Sequence, residues 1–278
     1  EITSGFTTTG ATVMGGLQTI TPEEALGMSH SIMFWRSFAH WIGGMGVLVF
    51  ILMIIPESDE GSAVHILRAE SPGPQVGRLV TKMKASSRIL YLIYIVLTLV
   101  LILLLWISPD MNLYESIIYA LGTAGTGGFS VLNSSLATYS VFCKYVVAIF
   151  MFLFGINFYI YFLIIMRDFK NIFKSEELKV YIGLFIGTVL FVFFNTINYF
   201  SNASDAFLEA FFHVSSIMTS TGYSIGDINI YPSTCRVLFL ALMIISACAG
   251  STCGGFKISR LIIVFKTIKR NIQRVIYP

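Results

Sequence analysis

Long apolar stretches alternate with short polar ones along the chain. Uncharged runs extend from Ser37 to Pro56, Ile89 to Pro109, Tyr145 to Met166, Val180 to Ser204 and Val237 to Phe256. Each is close to the roughly 20 residues that a helix needs to cross the hydrocarbon core, so five spans are predicted. Two shorter helical stretches, Leu113 to about Thr123 and Ala206 to about Met218, are too short to cross. They must enter the membrane and stop. Non-helical backbone beyond the end of such a helix is stable at membrane depth only when buried in protein or lining a water-filled cavity.

Each short helix leads into a hydroxyl-rich turn centred on glycine: Thr126-Gly127-Gly128-Phe129-Ser130 and Ser220-Thr221-Gly222-Tyr223-Ser224. Phe6-Thr7-Thr8-Thr9-Gly10-Ala11-Thr12 near the start is a third copy. Glu115 and Glu209 each stand thirteen residues before the central glycine, which marks an internal repeat. The repeat unit is span, short helix, turn, span. Glycine lets the backbone turn carbonyls toward a common axis, as a pore built from backbone carbonyls requires.

Composition agrees with this pattern: 55% of residues are hydrophobic and 12% charged, against roughly 25% charged in a soluble domain. Fifteen of the eighteen Lys and Arg fall in residues 57–88, 167–179 and 257–274, which the positive-inside bias makes cytoplasmic. The turns are flanked by the acids Glu23, Glu24, Asp110, Glu115, Asp205, Glu209 and Asp227, and face outward. The units divide as 1–56, a linker 57–88, 89–166, a linker 167–179, and 180–278. Cys143, Cys235, Cys248 and Cys253 show no metal-ligand spacing and read as small packing residues.

Several features admit two readings. Gly43-Gly44-Met45-Gly46, within a helix expected from Ser29 to Ile55, is either a close packing surface or a flexible pore element. Arg36, Lys144 and Arg236, each at the outer part of a post-turn helix, are either snorkelling anchors or partners of the outer acids. Residues 57–88 are a solvated connector or a docking surface. Ala249-Gly250-Ser251-Thr252-Cys253-Gly254-Gly255-Phe256-Lys257 should break the last span, because three glycines fall within six residues. A broken span is stable only beside protein or a cavity, so a mobile constriction beneath the pore, with Lys257 and Arg260 just beyond, is preferred to a simple kink.

Taken together, Ser4 to Val13, Trp41-Ile42-Gly43-Gly44-Met45-Gly46, Arg68-Ala69-Glu70 with Pro72-Gly73-Pro74, Gly127-Gly128-Phe129-Ser130 and Ala249 to Lys257 resemble the TrkH-like potassium-translocating subunits of the Trk/Ktr/HKT superfamily. The resemblance covers essentially the whole chain. It implies an all-α membrane protein of tandem span, pore-helix, filter, span repeats, like a potassium-channel pore fused into one chain, with four such units in the complete protein. The present chain then reads as a fragment holding about three of them. Filter positions are carried onto Thr8, Thr9, Gly10, Ala11, Thr126, Gly127, Gly128, Phe129, Thr221, Gly222 and Tyr223, with potassium held at Thr9, Gly10, Gly127, Gly128, Thr221 and Gly222. A gate is carried onto Gly250, Ser251, Thr252, Cys253, Gly254, Gly255, Lys257 and Arg260. The family usually has glycine where Cys253 stands. The expected function is potassium uptake across the cytoplasmic (inner) membrane by a multi-pass protein that is not an enzyme and binds no nucleic acid. No cofactor is expected in the chain, whose substrate is the potassium ion. A homodimer is implied, above TrkA-like cytoplasmic subunits that bind a nucleotide.

Two other classes are weighed against this. A secondary transporter also uses broken helices, but it predicts inverted repeats and buried acids, whereas these repeats run parallel and every acid lies outside the five uncharged runs. A membrane enzyme finds no clustered carboxylates or nucleophile motif beside His30, His40, His65 and His213.

Overall fold

The computed structural model describes residues 1–12, 30–46, 83–132 and 134–276, with side chains of the third helix described from Arg88 onward. Eleven α-helices occur among the described residues: α1 Ile2–Phe6, α2 His30–Gly44, α3 Met83–Trp106, α4 Leu113–Ala124, α5 Val141–Phe154, α6 Phe158–Ile165, α7 Phe169–Lys174, α8 Glu176–Thr196, α9 Ala203–Met218, α10 Ser233–Ile244 and α11 Ile258–Ile276. The only β-pairing among those residues is an isolated bridge between Ile245 and Phe256. The chain is an all-α membrane protein. Arg88–Trp106 and Glu176–Tyr199 are continuous helices long and apolar enough to cross a bilayer.

The short helices end and begin where their sequences direct. Asn112 caps α4 by accepting the Glu115 N–H at 2.9 Å, and the Glu115 carboxylate accepts the Asn112 N–H at 3.1 Å, a complete capping box. Ser175 caps α8, whose first turn carries Glu176 and Glu177, where acids complement the positive end of the helix. Two apolar cores form. One joins α3, α4, α5 and the second turn around Tyr94, Tyr119, Phe154 and Leu136; the other joins α8, α9 and α10 around Tyr181, Phe239, Met218 and Cys253. All four cysteines are buried.

Three spans depart from expectation. The run from Tyr145 to Met166 is not one straight helix: α5 and α6 meet at 90° across Gly155, Ile156 and Asn157. A side chain at Gly155 would overlap the Tyr181 hydroxyl, and Asn157 opens α6 by accepting the Tyr159 N–H at 2.9 Å. α2 ends at Gly44 instead of running on to Ile55, with Gly46 at φ 76°; the later part of that run lies outside the described residues, as do the motif at 68–74 and nearly all of linker 57–88. Finally, α10 stops at Ile244, five residues before the glycine cluster begins.

The glycines of α2 are packing contacts. A β-carbon on Gly43 would overlap the Phe6 carbonyl, one on Gly44 would come 2.7 Å from the Gly125 α-carbon, and one on Gly5 2.9 Å from the Ala39 methyl. By contrast, a β-carbon on Gly187, in the middle of α8, meets nothing within 4 Å among the described residues. Gly43→Ala is therefore expected to destabilise the full-length protein by about 1–3 kcal/mol through overpacking, whereas Gly187→Ala should stabilise it by roughly 0.5–1 kcal/mol through helix propensity. Thermal unfolding in detergent checks both, and a destabilising Gly187→Ala would show that another segment or chain occupies that face.

Candidate ion-coordinating turns and the loop beneath them

The three glycine turns are alike at the level of single hydrogen bonds. The N–H groups of Thr9, Gly127 and Thr221 reach the carbonyls of Ser4, Gly122 and Ser216 at 3.0, 3.0 and 2.9 Å. Those of Thr8, Thr126 and Ser220 reach Gly5, Thr123 and Ile217 at 3.0, 3.1 and 3.0 Å. This pair of bonds is the Schellman helix end. Its left-handed residue is ordinarily glycine, yet here it is Thr8, Thr126 or Ser220, at φ 52°, 51° and 54°. Two residues further on, Gly10, Gly128 and Gly222 are left-handed again, at 71°, 67° and 87°. Left-handed threonine costs on the order of 1–3 kcal/mol and persists only where the surroundings impose it.

Those surroundings differ between units. In the first, the Thr7 and Thr9 hydroxyls lie 2.7 Å apart while Thr7 also bonds the Thr3 carbonyl. In the third, Thr219 and Thr221 repeat the pair at 2.7 Å, and Thr219 bonds the Ser215 carbonyl. In the second unit the corresponding positions are Gly125 and Gly127, and the space is filled from outside. A β-carbon on Gly127 would overlap the His40 ring, and one on Gly125 the His40 carbonyl.

The turns also touch one another in order. A β-carbon on Gly10 would stand 2.5 Å from the Gly127 carbonyl oxygen, and one on Gly128 would overlap the Thr221 carbonyl oxygen. The same face of Gly222 meets nothing within 4 Å among the described residues. Tyr223 ties the third turn to the second, its hydroxyl donating to the Phe129 carbonyl at 3.1 Å. Thus Gly10, Gly127, Gly128, Phe129, Thr221 and Tyr223 come together as one assembly, to which Thr8, Thr9 and Thr126 belong through their helix ends; Ala11 continues the first turn at the surface.

Directly against this assembly lies the loop between α10 and α11. Its neck is closed by hydrogen bonds from the Ser246 N–H to the Phe256 carbonyl (3.0 Å) and from the Phe256 N–H to the Ile244 carbonyl (3.1 Å). Two loop groups bond the left-handed residues of the turns: the Thr252 carbonyl accepts from the Thr126 hydroxyl at 3.0 Å, and the Gly254 N–H donates to the Ser220 hydroxyl at 2.9 Å. On its other side the loop is seated in the α5–α6 bend. There Cys248 N–H donates to the Gly155 carbonyl at 3.1 Å and Phe158 N–H to the Gly250 carbonyl at 3.0 Å. The Ala249 N–H donates to the Glu177 carboxylate at 2.6 Å. Within the loop, Gly250 and Gly255 are left-handed at φ 71° and 85°, Ser251 bonds the Cys248 carbonyl, and the Lys257 ammonium bonds the Cys253 carbonyl. Cys253 is buried, whereas Arg260 lies exposed on α11.

Three contributors do not stand out in the sequence. Glu177 reads there only as part of a cytoplasmic linker, and Asn157 and His40 only as residues of apolar runs. Arg36 is no snorkelling anchor: it is buried, and its Nε lies 2.6 Å from the Glu1 carboxylate. Arg236 is exposed and bonds the Ser233 hydroxyl. The extra glycines at 125 and 127 are the available signal that a neighbour fills that space.

The chain is similar to known proteins in sequence and in fold. A sequence model of the family described as TrkH, cation transport protein, matches residues 1–278. The Trk system potassium uptake protein TrkH of Escherichia coli K12 is 32% identical over 285 aligned residues, covering 100% of this chain and 56% of that protein. TrkG of the same organism, also named a Trk system potassium uptake protein, is 28% identical with the same coverage. The crystal structure of the potassium transporter TrkH from Vibrio parahaemolyticus superposes with a TM-score of 0.77 at 26% identity, covering 99% of this chain and 55% of that one. The chain thus spans about half the length of the relatives it matches.

Proposed function

The chain belongs to the TrkH family of cation transport proteins, and on that basis we propose that it forms most of a potassium-uptake pore in the cytoplasmic membrane, with the three glycine turns as its selectivity filter. The observation that carries this reading is the stacking of Gly10 on the Gly127 carbonyl and of Gly128 on the Thr221 carbonyl. Adjoining turns of one backbone form, in chain order, can present carbonyl oxygens around a shared axis. Carbonyls of Thr8, Thr9, Gly10, Gly127, Gly128, Thr221 and Gly222 would replace the water shed by an entering ion. A fourth turn, supplied by a part of the full-length protein beyond this chain, would meet the open face of Gly222. The helices α1, α4 and α9 end at the turns, which favours a cation there because the negative end of a helix dipole lies at its C-terminus. The driving force would be the membrane potential, about 2.3 kcal/mol per charge per 100 mV.

The loop Ser246–Phe256 is the proposed gate, because it bonds both Thr126 and Ser220 and so lies against the second and third turns at once. A TrkA-like, nucleotide-binding ring beneath a homodimer would act on it through the basic segments 57–88 and 257–274. Potassium and sodium uptake by the full-length protein, in cells lacking their own potassium uptake systems, tests the reading. Potassium uptake preferred over sodium is expected. Absence of potassium uptake, with or without a cytoplasmic partner, would exclude the pore and favour a secondary transporter.

A further inference from the structure

The second turn is the one without a threonine pair, and α2 fills the corresponding space at Gly125 and Gly127. Arg36 and His40 stand one helical turn apart on α2 and therefore share a face. Both are buried. The Arg36 guanidinium carbon lies 3.6 Å from the centre of the Phe129 ring, within cation–π range, and the His40 ring centre is 4.0 Å from the same ring. Behind the turn, His40 occupies the space over Gly127. Phe129 comes directly after the central glycine, as Tyr223 does in the third turn. Tyr223 is anchored by its hydroxyl. Phe129 has no hydroxyl, and its ring is clamped instead by a cation and an imidazole from the preceding unit.

We propose that Arg36 is a positioning residue for ion selectivity, acting through the Phe129 ring to hold the second turn, with Glu1 orienting the guanidinium and His40 closing the space behind Gly127. The inference rests on the pore reading above. A planar guanidinium stacked on an aromatic face and paired at 2.6 Å with a carboxylate has one geometry that satisfies both contacts. Lysine keeps the charge but loses the planar stack. Because Arg36 contacts the ring next to the glycine and not the ion, its loss should widen the site's tolerance while leaving permeation itself intact.

The test is potassium and sodium uptake by the full-length protein carrying Arg36→Gln, Arg36→Lys, Phe129→Leu, or Arg36→Gln with Phe129→Leu, each normalised to the amount of protein in the membrane. The expected result is a fall of about tenfold in potassium-over-sodium preference for Arg36→Gln, with a smaller fall for Arg36→Lys. Maximal uptake per molecule should be kept by the two single Arg36 variants, and the double variant should lose no more preference than Phe129→Leu alone. A variant that is merely less abundant, with unchanged preference, would overturn the positioning role while leaving the pore reading intact. So would an Arg36→Gln loss undiminished in the Phe129→Leu background. A wild-type protein that takes up no potassium would overturn both.

Discussion

Replacing Gly128 by alanine is expected to remove selective potassium uptake from the full-length protein, lowering potassium-over-sodium preference by roughly thirtyfold or more. Two costs add at this position. The residue is held at φ 67°, where an L-residue pays on the order of 1–2 kcal/mol. Its β-carbon would also overlap the Thr221 carbonyl oxygen, and relieving such a clash in a packed site costs typically about 1–3 kcal/mol. Thr221 does not yield cheaply, because it is fixed by its N–H bond to Ser216 and its hydroxyl bond to Thr219. The carbonyl that must move is one proposed to touch the ion, so the damage should appear in ion preference before it appears in stability. Uptake of both cations alongside a thermal melt separates the two. Gly128→Ala with unchanged preference would place the filter elsewhere.

Removing the Glu177 carboxylate should have the opposite sign. Its bond from the Ala249 N–H is 2.6 Å long and ties the first turn of α8 to the loop between α10 and α11. Hydrogen bonds to a charged group contribute about 1.5–3 kcal/mol, and each step of about 1.4 kcal/mol is a factor of ten. Glu177→Ala is therefore expected to raise potassium uptake in the absence of a cytoplasmic partner by about tenfold, because the loop loses its tie to α8 and is held less firmly against Thr126 and Ser220. The neighbouring Glu176→Ala is the control: Glu176 is exposed and pairs with Lys266 on α11, an exposed ion pair of the kind that contributes little. Equal uptake by wild type and Glu177→Ala would show that the loop is not the limiting constriction.

The parts of the fold that are legible in the sequence share a physical reason. Gly10, Gly128 and Gly222 mark backbone that only glycine adopts cheaply, and the apolar runs mark length in hydrocarbon; both leave a local trace. The short helices before the turns can be placed to within a few residues because polar residues before them and glycine turns after them bound the apolar stretch. Contacts between distant segments leave no such trace. Thr126 and Ser220 are left-handed where local preference would ask for glycine, and each bonds the distant loop, at Thr252 and Gly254. The 90° bend at Gly155 is hidden because the apolar run continues through it, and Tyr181, which fills the space at Gly155, lies on another helix. The last span breaks at Ile245 and not at the glycine cluster because Ile245 pairs with Phe256 across the loop neck. Arg36 looks like a snorkelling anchor because its partner, Glu1, is thirty-five residues away in sequence.

The most direct measurement is anomalous diffraction from crystals of the full-length protein grown with rubidium or thallium in place of potassium. The expected result is ion density bounded by the carbonyls of Thr9, Gly127 and Thr221, lost when sodium replaces the heavier ion. Density confined to other parts of the protein, with none between the three turns, would contradict the assignment of these turns as the site where the ion is coordinated.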